Sequence, residues 1–595
     1  MHVLGLSCYF HDASAALLHD GMLVAAAEEE RFTRRKHDSG FPAHAIDFCL
    51  REAGIRAGDL DWVVFFEKPF VKFERLLLTS LQTFPRSAGV FRDAMVSWLG
   101  DKLWIRHLIQ TRLGVPADRI LFSEHHLSHA ASAFFCSPFP EAAVLTVDGV
   151  GEWTTASMAV GRDTELRLLR EIRFPHSIGL LYSAFTAFLG FEVNEGEYKV
   201  MGMAPFGRPR YVDEVRKLIH IDDDGAFELD MTYFAFHRSR TETFTRRFIE
   251  LFGTPRDPRA DFFTASTGYP ASFGRRPADF DAQARVNERY ADIAASIQVV
   301  VEEAMLTMAR AIRRETGLRR LCLAGGVALN SVANTRILRE AGFDEIYVQP
   351  AAGDGGAALG AALYGYHAIL GKPRGFVMEH AAWGEAHDAA AVDGFLRREQ
   401  IAYARIEDEA AMDARVVDLL QRGKVVGWAQ GRFEWGPRAL GHRSILADPR
   451  RADMKDIVNT RIKFREPFRP FAPSVLVERA EEFFVLPDAA RHYPARFMLY
   501  VVDVRSERHA TIPAVTHVDG TGRLQTVRRE TDPRYYRLIE TFGQATGVPV
   551  LLNTSFNLRG EPIVNTPAEA YATFSRSDMD AVVLGDCLVE KDRRS

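Results

Sequence analysis

Cysteine is scarce in this chain: five in 595 residues, at Cys8, Cys49, Cys136, Cys322 and Cys587. The odd number, the scatter and the lack of any C-x-x-C pair exclude a disulfide framework and a thiolate zinc site, and fit a reducing cytoplasm. Long apolar runs are missing as well. Nothing approaches the ~20 residues of a membrane-spanning helix, and no basic start followed by an apolar stretch precedes the first strand-like segment. A soluble, cytoplasmic protein with no membrane partner is expected. Nor is there an excess of positive charge: 74 Lys and Arg against 79 Asp and Glu leave a formal net charge of −5. That balance argues against a protein that coats nucleic acid. A Walker-type phosphate loop, a G-x-S-x-G elbow and a complete dinucleotide fingerprint are all absent, so the common kinase and hydrolase templates do not apply.

What is present is a chain too long for one core, 47% apolar and 26% charged, for which two large domains are expected. Val3 to Leu6, the polar Tyr9-Phe10-His11-Asp12, Ala13 to Leu18, the Asp20-Gly21 turn and Met22 to Ala27 read as a strand, turn and hairpin. Ala143 to Val147, the turn Asp148 to Gly151, Thr154 to Val160 and Glu165 to Leu169 repeat that plan, which suggests an internally duplicated α/β architecture. Ile293, Ile297, Val300, Val301, Ala304, Met308 and Ile312 mark an amphipathic helix ending near Gly317. Residues 254–281 read as a long loop over one face. Residues 371–394 read as the connection between domains, after which Lys424 to Trp428 starts a second α/β unit.

Several features carry chemistry. His125 and His129 stand one helical turn apart, and with a carboxylate they could hold a divalent metal. Asp148 and Asp354, each in a glycine-flanked turn where a side chain can be exposed, are the candidates. An isolated histidine pair is more often a packing feature. Gly325 and Gly326, between a strand and a helix, let a backbone approach a phosphate or nucleoside, although close packing also selects glycine. From Gln421 to Phe471 there are twelve Lys or Arg against five Asp or Glu. This island, with Arg438 and Arg443 in one cluster and Lys463, Arg465 and Arg469 in another, suits a phosphate-bearing ligand. A solvated face and an RNA surface are the alternatives. Asn553, Thr554, Ser555 and Asn557 follow the apolar Val548 to Leu551 and could complete an anion pocket, or form a plain turn.

CYFHDAS (8–14), EEERFTRRKH (28–37), HHLSHAAS (125–132), VDGVGE (147–152), AGGVALN (324–330), GPRALG (436–441), RPFAPS (469–474) and LNTSFN (552–557) occur in one order along the chain. Together they resemble the NodU/CmcH carbamoyltransferase family over essentially its whole length. The resemblance implies a TsaD-like N-terminal domain of the actin and sugar-kinase superfamily at 1–372 and a YrdC-like α/β domain at 395–595. It implies that the second domain makes carbamoyl adenylate from carbamoyl phosphate and ATP. The first domain would pass the carbamoyl group to a hydroxyl of a small-molecule acceptor, a sugar or natural product as in antibiotic biosynthesis. Metal ligands would be His125, His129, Asp148 and Asp354, holding ferrous iron, though by donor chemistry iron, manganese or zinc would serve. Gly179, Gly326 and Asn330 would line the adenylate, Lys36 would be a basic nucleotide contact, and His11 the base for the acceptor hydroxyl. Arg438, Lys463 and Arg469, with Arg523, Asn553 and Ser555, would hold carbamoyl phosphate and ATP.

Two other readings compete. A tRNA threonylcarbamoyl enzyme would need a broad basic face, whereas here the positive charge is confined to one region. A nucleotide-binding switch would have no use for Arg438, Lys463 and Arg469 together. The acceptor, a homodimer and channelling of the intermediate stay open.

Overall fold

The computed structural model describes residues 1–100, 102–239, 241–270 and 273–591 of an α/β protein. Contacts divide the chain into two compact units. One comprises Met1–Val24, Gly40–Pro42 and Cys49–Val377; the other comprises Ala25–Ser39, Ala43–Phe48 and Met378–Ser595.

The first unit contains the same sheet twice. In one sheet, His2–Ser7 runs antiparallel to Ser14–His19 and parallel to Trp62–Phe65, which is parallel to Ile120–Phe122. In the other, Glu141–Val147 runs antiparallel to Thr154–Arg162 and parallel to Arg320–Ala324, which is parallel to Glu345–Val348. Met22–Glu28 and Glu165–Arg173 occupy matching edges, so both sheets have five strands in the same order. The duplication suggested by the two strand openings therefore extends through two further strands in each copy.

The last strand of each copy feeds a helix, His125–Phe134 in one and Asp354–Leu363 in the other. The second helix is DGGAALGAAL, and its small residues have a packing reason. A Cβ on Gly360 would fall onto the carbonyl oxygen of Ser128, and one on Gly5 onto the carbonyl oxygen of Ala358. Glycine thus lets this helix lie directly on its counterpart and on the central strand. The long amphipathic helix spans Phe280–Thr316, stopped by Gly317 in the left-handed region at φ 69°. It begins earlier than the apolar stripe indicates because Phe280 stacks on Phe263 at 5.2 Å. The preceding loop is thereby pinned through Phe263 and Tyr269 rather than lying loose. Ala271 and Ser272, within that expected loop, are outside the described residues.

A nine-stranded mixed sheet forms the second unit. Val550–Ser555 sits between Arg443–Ala447 and Ala472–Leu476, with Asn553 opposite Leu446 and Ala472. Helices Glu409–Gln421 and Pro533–Thr546 bury Met412, Leu420, Tyr535 and Phe542 on a core that includes Trp428. Residues 25–39 and 43–48, within the expected first domain 1–372, cluster by contacts with the second unit. The reason is local chemistry. The Arg34 guanidinium donates to the carbonyls of Ile563 and Pro562 at 2.7 and 2.9 Å. Glu29 accepts the Ala45 N–H at 2.9 Å, and the Phe32 and Phe48 rings stand 6.1 and 6.3 Å from Phe433. Among the described residues no helix is long and apolar enough to cross a membrane.

Candidate functional site

Strand ends and helix starts bring four side chains of the first unit to one point. His125 and His129 are on the helix, as their spacing predicts; Asp148 ends the strand Glu141–Val147, and Asp354 opens its helix. The two aspartates are not displayed to solvent, as their turns had suggested, but are 8% and 6% exposed, and both histidines are 0% exposed. The Nε2 atoms of His125 and His129 are 3.0 Å apart. Asp148 Oδ2 is 3.1 Å from His125 Nε2 and 3.7 Å from His129 Nε2, and Asp354 Oδ1 is 3.4 Å from each. These four atoms lie within 4.8 Å of one another. Ligands at ~2.1 Å from a tetrahedral metal stand roughly 3.4 Å apart, so the donor set fits a divalent cation. Without one, a proton must do its work. Burial disfavours imidazolium, yet hydrogen bonds to Asp148 and Asp354 outweigh it and lift His129 to about 9. Burial likewise opposes ionisation of Asp148, but the two imidazoles hold its carboxyl well below the usual range. The buried Nδ1 atoms of His125 and His129 have no hydrogen-bond partner. Glu67, ion-paired with Lys72 at 2.6 Å, stands 4.0 Å from His125 Nδ1.

The second unit collects cations instead. Arg523 is half-buried, and desolvation followed by the charges of Arg438 and Arg469 holds its guanidinium well below its ordinary value. Its Nε is buried without a hydrogen-bond partner. Lys463 is depressed in the same way, by burial and then by Arg465, Arg469 and Lys36. Several half-buried cations around the buried Lys463, disfavouring one another, make a ready anion site. The members differ in availability. Lys463 Nζ donates to the carbonyls of Ser555 and Asn557 at 2.7 and 2.8 Å and to Asn557 Oδ1 at 2.5 Å, so its protons organise the 555–557 turn. Asn553 Nδ2 donates to Gln525 Oε1 at 3.0 Å, Ser474 Oγ at 3.1 Å and the Ala439 carbonyl at 3.2 Å. Ser555 Oγ donates to Asn557 Oδ1 at 2.7 Å. Much of the basic island is structural: Arg443 spends its guanidinium on the carbonyls of Gln430, Gly431 and Asn565, burial lowering it to about 10. Arg450 forms a two-point pair with Asp448.

Family models for the carbamoyltransferase N-terminus and C-terminus match residues 2–363 and 417–591. This chain belongs to the carbamoyltransferase family. Across 99% of its length it is 46% identical to an uncharacterized protein of Synechocystis, covering 97% of that protein. It is 38% identical to nodulation protein NolNO of Sinorhizobium fredii over 98% of this chain and 79% of the relative. A 33% identity to the 3'-hydroxymethylcephem-O-carbamoyltransferase of Streptomyces clavuligerus spans 51% of this chain and 54% of that enzyme. Among solved structures, T. kodakarensis HypF overlaps 62% of this chain and 48% of its own at 15% identity, with a TM-score of 0.31, too low to carry an argument.

The remaining carbamoyltransferase motifs fall around these two sites. His11 follows Tyr9, which has φ 69°, and its Nδ1 is 2.8 Å from the carboxylate of Asp12. Burial lowers its basicity, but Asp12, with the charges of Asp354 and Asp148, reverses this and raises the imidazole to about 9, above the near-neutral value of an unperturbed ring. Asp12 is thus more than a turn residue. Gly326 donates its N–H to Asp148 Oδ1 at 3.0 Å. Gly179 packs so close to the Asp148 carbonyl that a Cβ would stand 2.6 Å from it. Asn330 caps its helix by accepting the Ala333 N–H and exchanges hydrogen bonds with Gln298. Lys36 clusters with the second unit, where its charge acts on Lys463. Sequence reasoning passed over Glu67, Glu28, Arg31 and Glu434. Carboxylates in apolar stretches such as Phe65-Phe66-Glu67 were the available signal, since an acid is buried only with partners.

Proposed function

We propose that this carbamoyltransferase works in two steps, one in each unit. The duplicated five-stranded sheets support an actin-like, TsaD-like assignment for the first unit, and the second is read as YrdC-like. In the second unit, Arg438, Arg469 and Arg523 would bind the anionic groups of carbamoyl phosphate and ATP. Loss of phosphate from carbamoyl phosphate with water gives carbamate, and its attack on the α-phosphorus of ATP expels pyrophosphate and leaves carbamoyl adenylate. Clustered guanidiniums stabilise the charge that gathers on the phosphoryl oxygens as those bonds break. Lys463 would act by holding the 555–557 turn in place.

In the first unit, Gly179, Gly326 and Asn330 would admit the adenylate. His125, His129, Asp148 and Asp354 would hold a divalent metal, taken to be ferrous iron, which when bound supplies positive charge to polarise phosphate oxygens. Its positive charge would also offset Asp148 and Asp354 as seen by His11. His11, fixed by Asp12, would accept the proton of the acceptor hydroxyl as the alcohol attacks the carbamoyl carbon and AMP leaves. The acceptor is taken to be a small molecule, because the named relatives act on a cephem or carry nodulation names. The carrying observation is the mutual proximity of Arg438, Arg469 and Arg523 in one unit. The deciding experiment is pyrophosphate release from ATP without acceptor. Release that requires carbamoyl phosphate is expected; release indifferent to it overturns the reading.

A further inference from the structure

Residues 436–443, the Gly-Pro-Arg loop that carries Arg438, have unusually complete support for irregular backbone. The buried Glu434 turns one carboxylate oxygen on the loop: Oε1 accepts the N–H groups of Leu440 at 2.6 Å, His442 at 2.9 Å and Arg443 at 3.3 Å. At the loop's start, Glu28 Oε1 accepts the Gly436 N–H at 2.8 Å, while Arg31 Nη2 donates to the Gly436 carbonyl at 2.7 Å. Both come from the far end of the sequence, and Arg31 is 2% exposed. Gly436 has φ 103° and Gly441 φ 118°, conformations few other residues adopt.

Glu28 and Arg31 also pair with each other at 3.5 Å, yet three buried ionisable side chains spent on backbone groups would be a costly way to shape an inert loop, since burying a charge is unfavourable unless its hydrogen bonds are met. What the loop displays is Arg438, beside Arg523. Like charges push that pair apart, so an unbraced loop would relax and move Arg438 away. A carboxylate taking three backbone N–H groups opposes the relaxation without neutralising the guanidinium itself.

We infer that Glu434, Glu28 and Arg31 are positioning residues for Arg438: they brace the 436–443 backbone so that its guanidinium stays within the anion site. This rests on the proposed function, and the Glu28-to-Arg31 stretch of the N-terminal motif thereby acts in adenylate formation rather than in transfer.

A double-mutant cycle tests it on the full-length protein. Glu434→Gln and Arg31→Lys should each lower kcat/KM for carbamoyl phosphate in pyrophosphate release by roughly 10-fold or more, chiefly through KM. In an Arg438→Ala background, neither should cost a further factor above about 2, because a brace with nothing to position has no kinetic effect. Arg31→Lys keeps the charge but loses the guanidinium fork. Equal losses with and without Arg438, or single variants that retain wild-type kinetics, would overturn the inference. If wild type itself shows no carbamoyl phosphate dependence, the proposed function fails separately. The same cycle is then run on calorimetric affinity for inorganic phosphate: coupling between Glu434 and Arg438 supports the brace, and additivity overturns it.

Discussion

His125 Nε2 and His129 Nε2 face each other at 3.0 Å with two carboxylate oxygens closing on them. Four electron-rich atoms converge in a water-poor interior only around something positive. A cation of charge two satisfies all four at once, which a single proton cannot.

His129→Ala is therefore expected to strip the metal. Anaerobic purification with elemental analysis should give about one ion per wild-type chain and under ~0.1 in the variant. Glu67→Gln, acting on the far side of the His125 ring, should weaken metal affinity by roughly 10-fold. Equal metal content in all three proteins would remove the ligand set.

Arg438→Ala should cut carbamoyl phosphate-dependent pyrophosphate release by roughly 10²–10³. His11→Ala should leave that step near wild type and halt AMP release in the presence of acceptor. Equal loss of the first step in both variants would abolish the division of labour between the units.

The imidazole of His11 is raised to about 9 chiefly because Asp12 outweighs the effect of burial. A base must be unprotonated, so transfer should climb with rising pH, and a bound cation that offsets Asp148 and Asp354 should set that climb below the region of the metal-free imidazole. In Asp12→Asn the imidazolium loses its partner, its pKa falls, and the rising limb of the pH–rate profile should move to lower pH. A limb that stays put or moves upward would remove His11 as the titrating group.

Gly360→Val should destabilise the first unit by about 1–3 kcal/mol, because a side chain there meets the Ser128 backbone. Denaturant melts check the stability. Metal content should fall with it, since the displaced helix carries Asp354.

The sequence revealed this site unevenly. Periodicity exposed the His125 and His129 pair because a helix converts spacing into direction, and motif order pointed to Asp148 and Asp354. Their burial was not readable, since glycine-flanked turns look alike whether they open to water or close on a neighbouring helix. Charge counting over 421–471 found Arg438 and Arg469 but could not separate them from Arg443 and Arg450, whose guanidiniums are consumed by carbonyls and by Asp448. Glu28 was hidden for a different reason. Its partner Gly436 is 408 residues away, and no local pattern encodes a contact at that distance.

That distance also bears on how the molecule is made. Arg34 and Glu28 leave the ribosome long before Ile563 and Gly436 exist, so a strap synthesised at the outset waits for the C-terminal sheet it will bind. Splitting the gene near residue 378 would leave the downstream fragment without that strap, however well chosen the cut. Adding the 25–48 peptide in trans is the repair to attempt first.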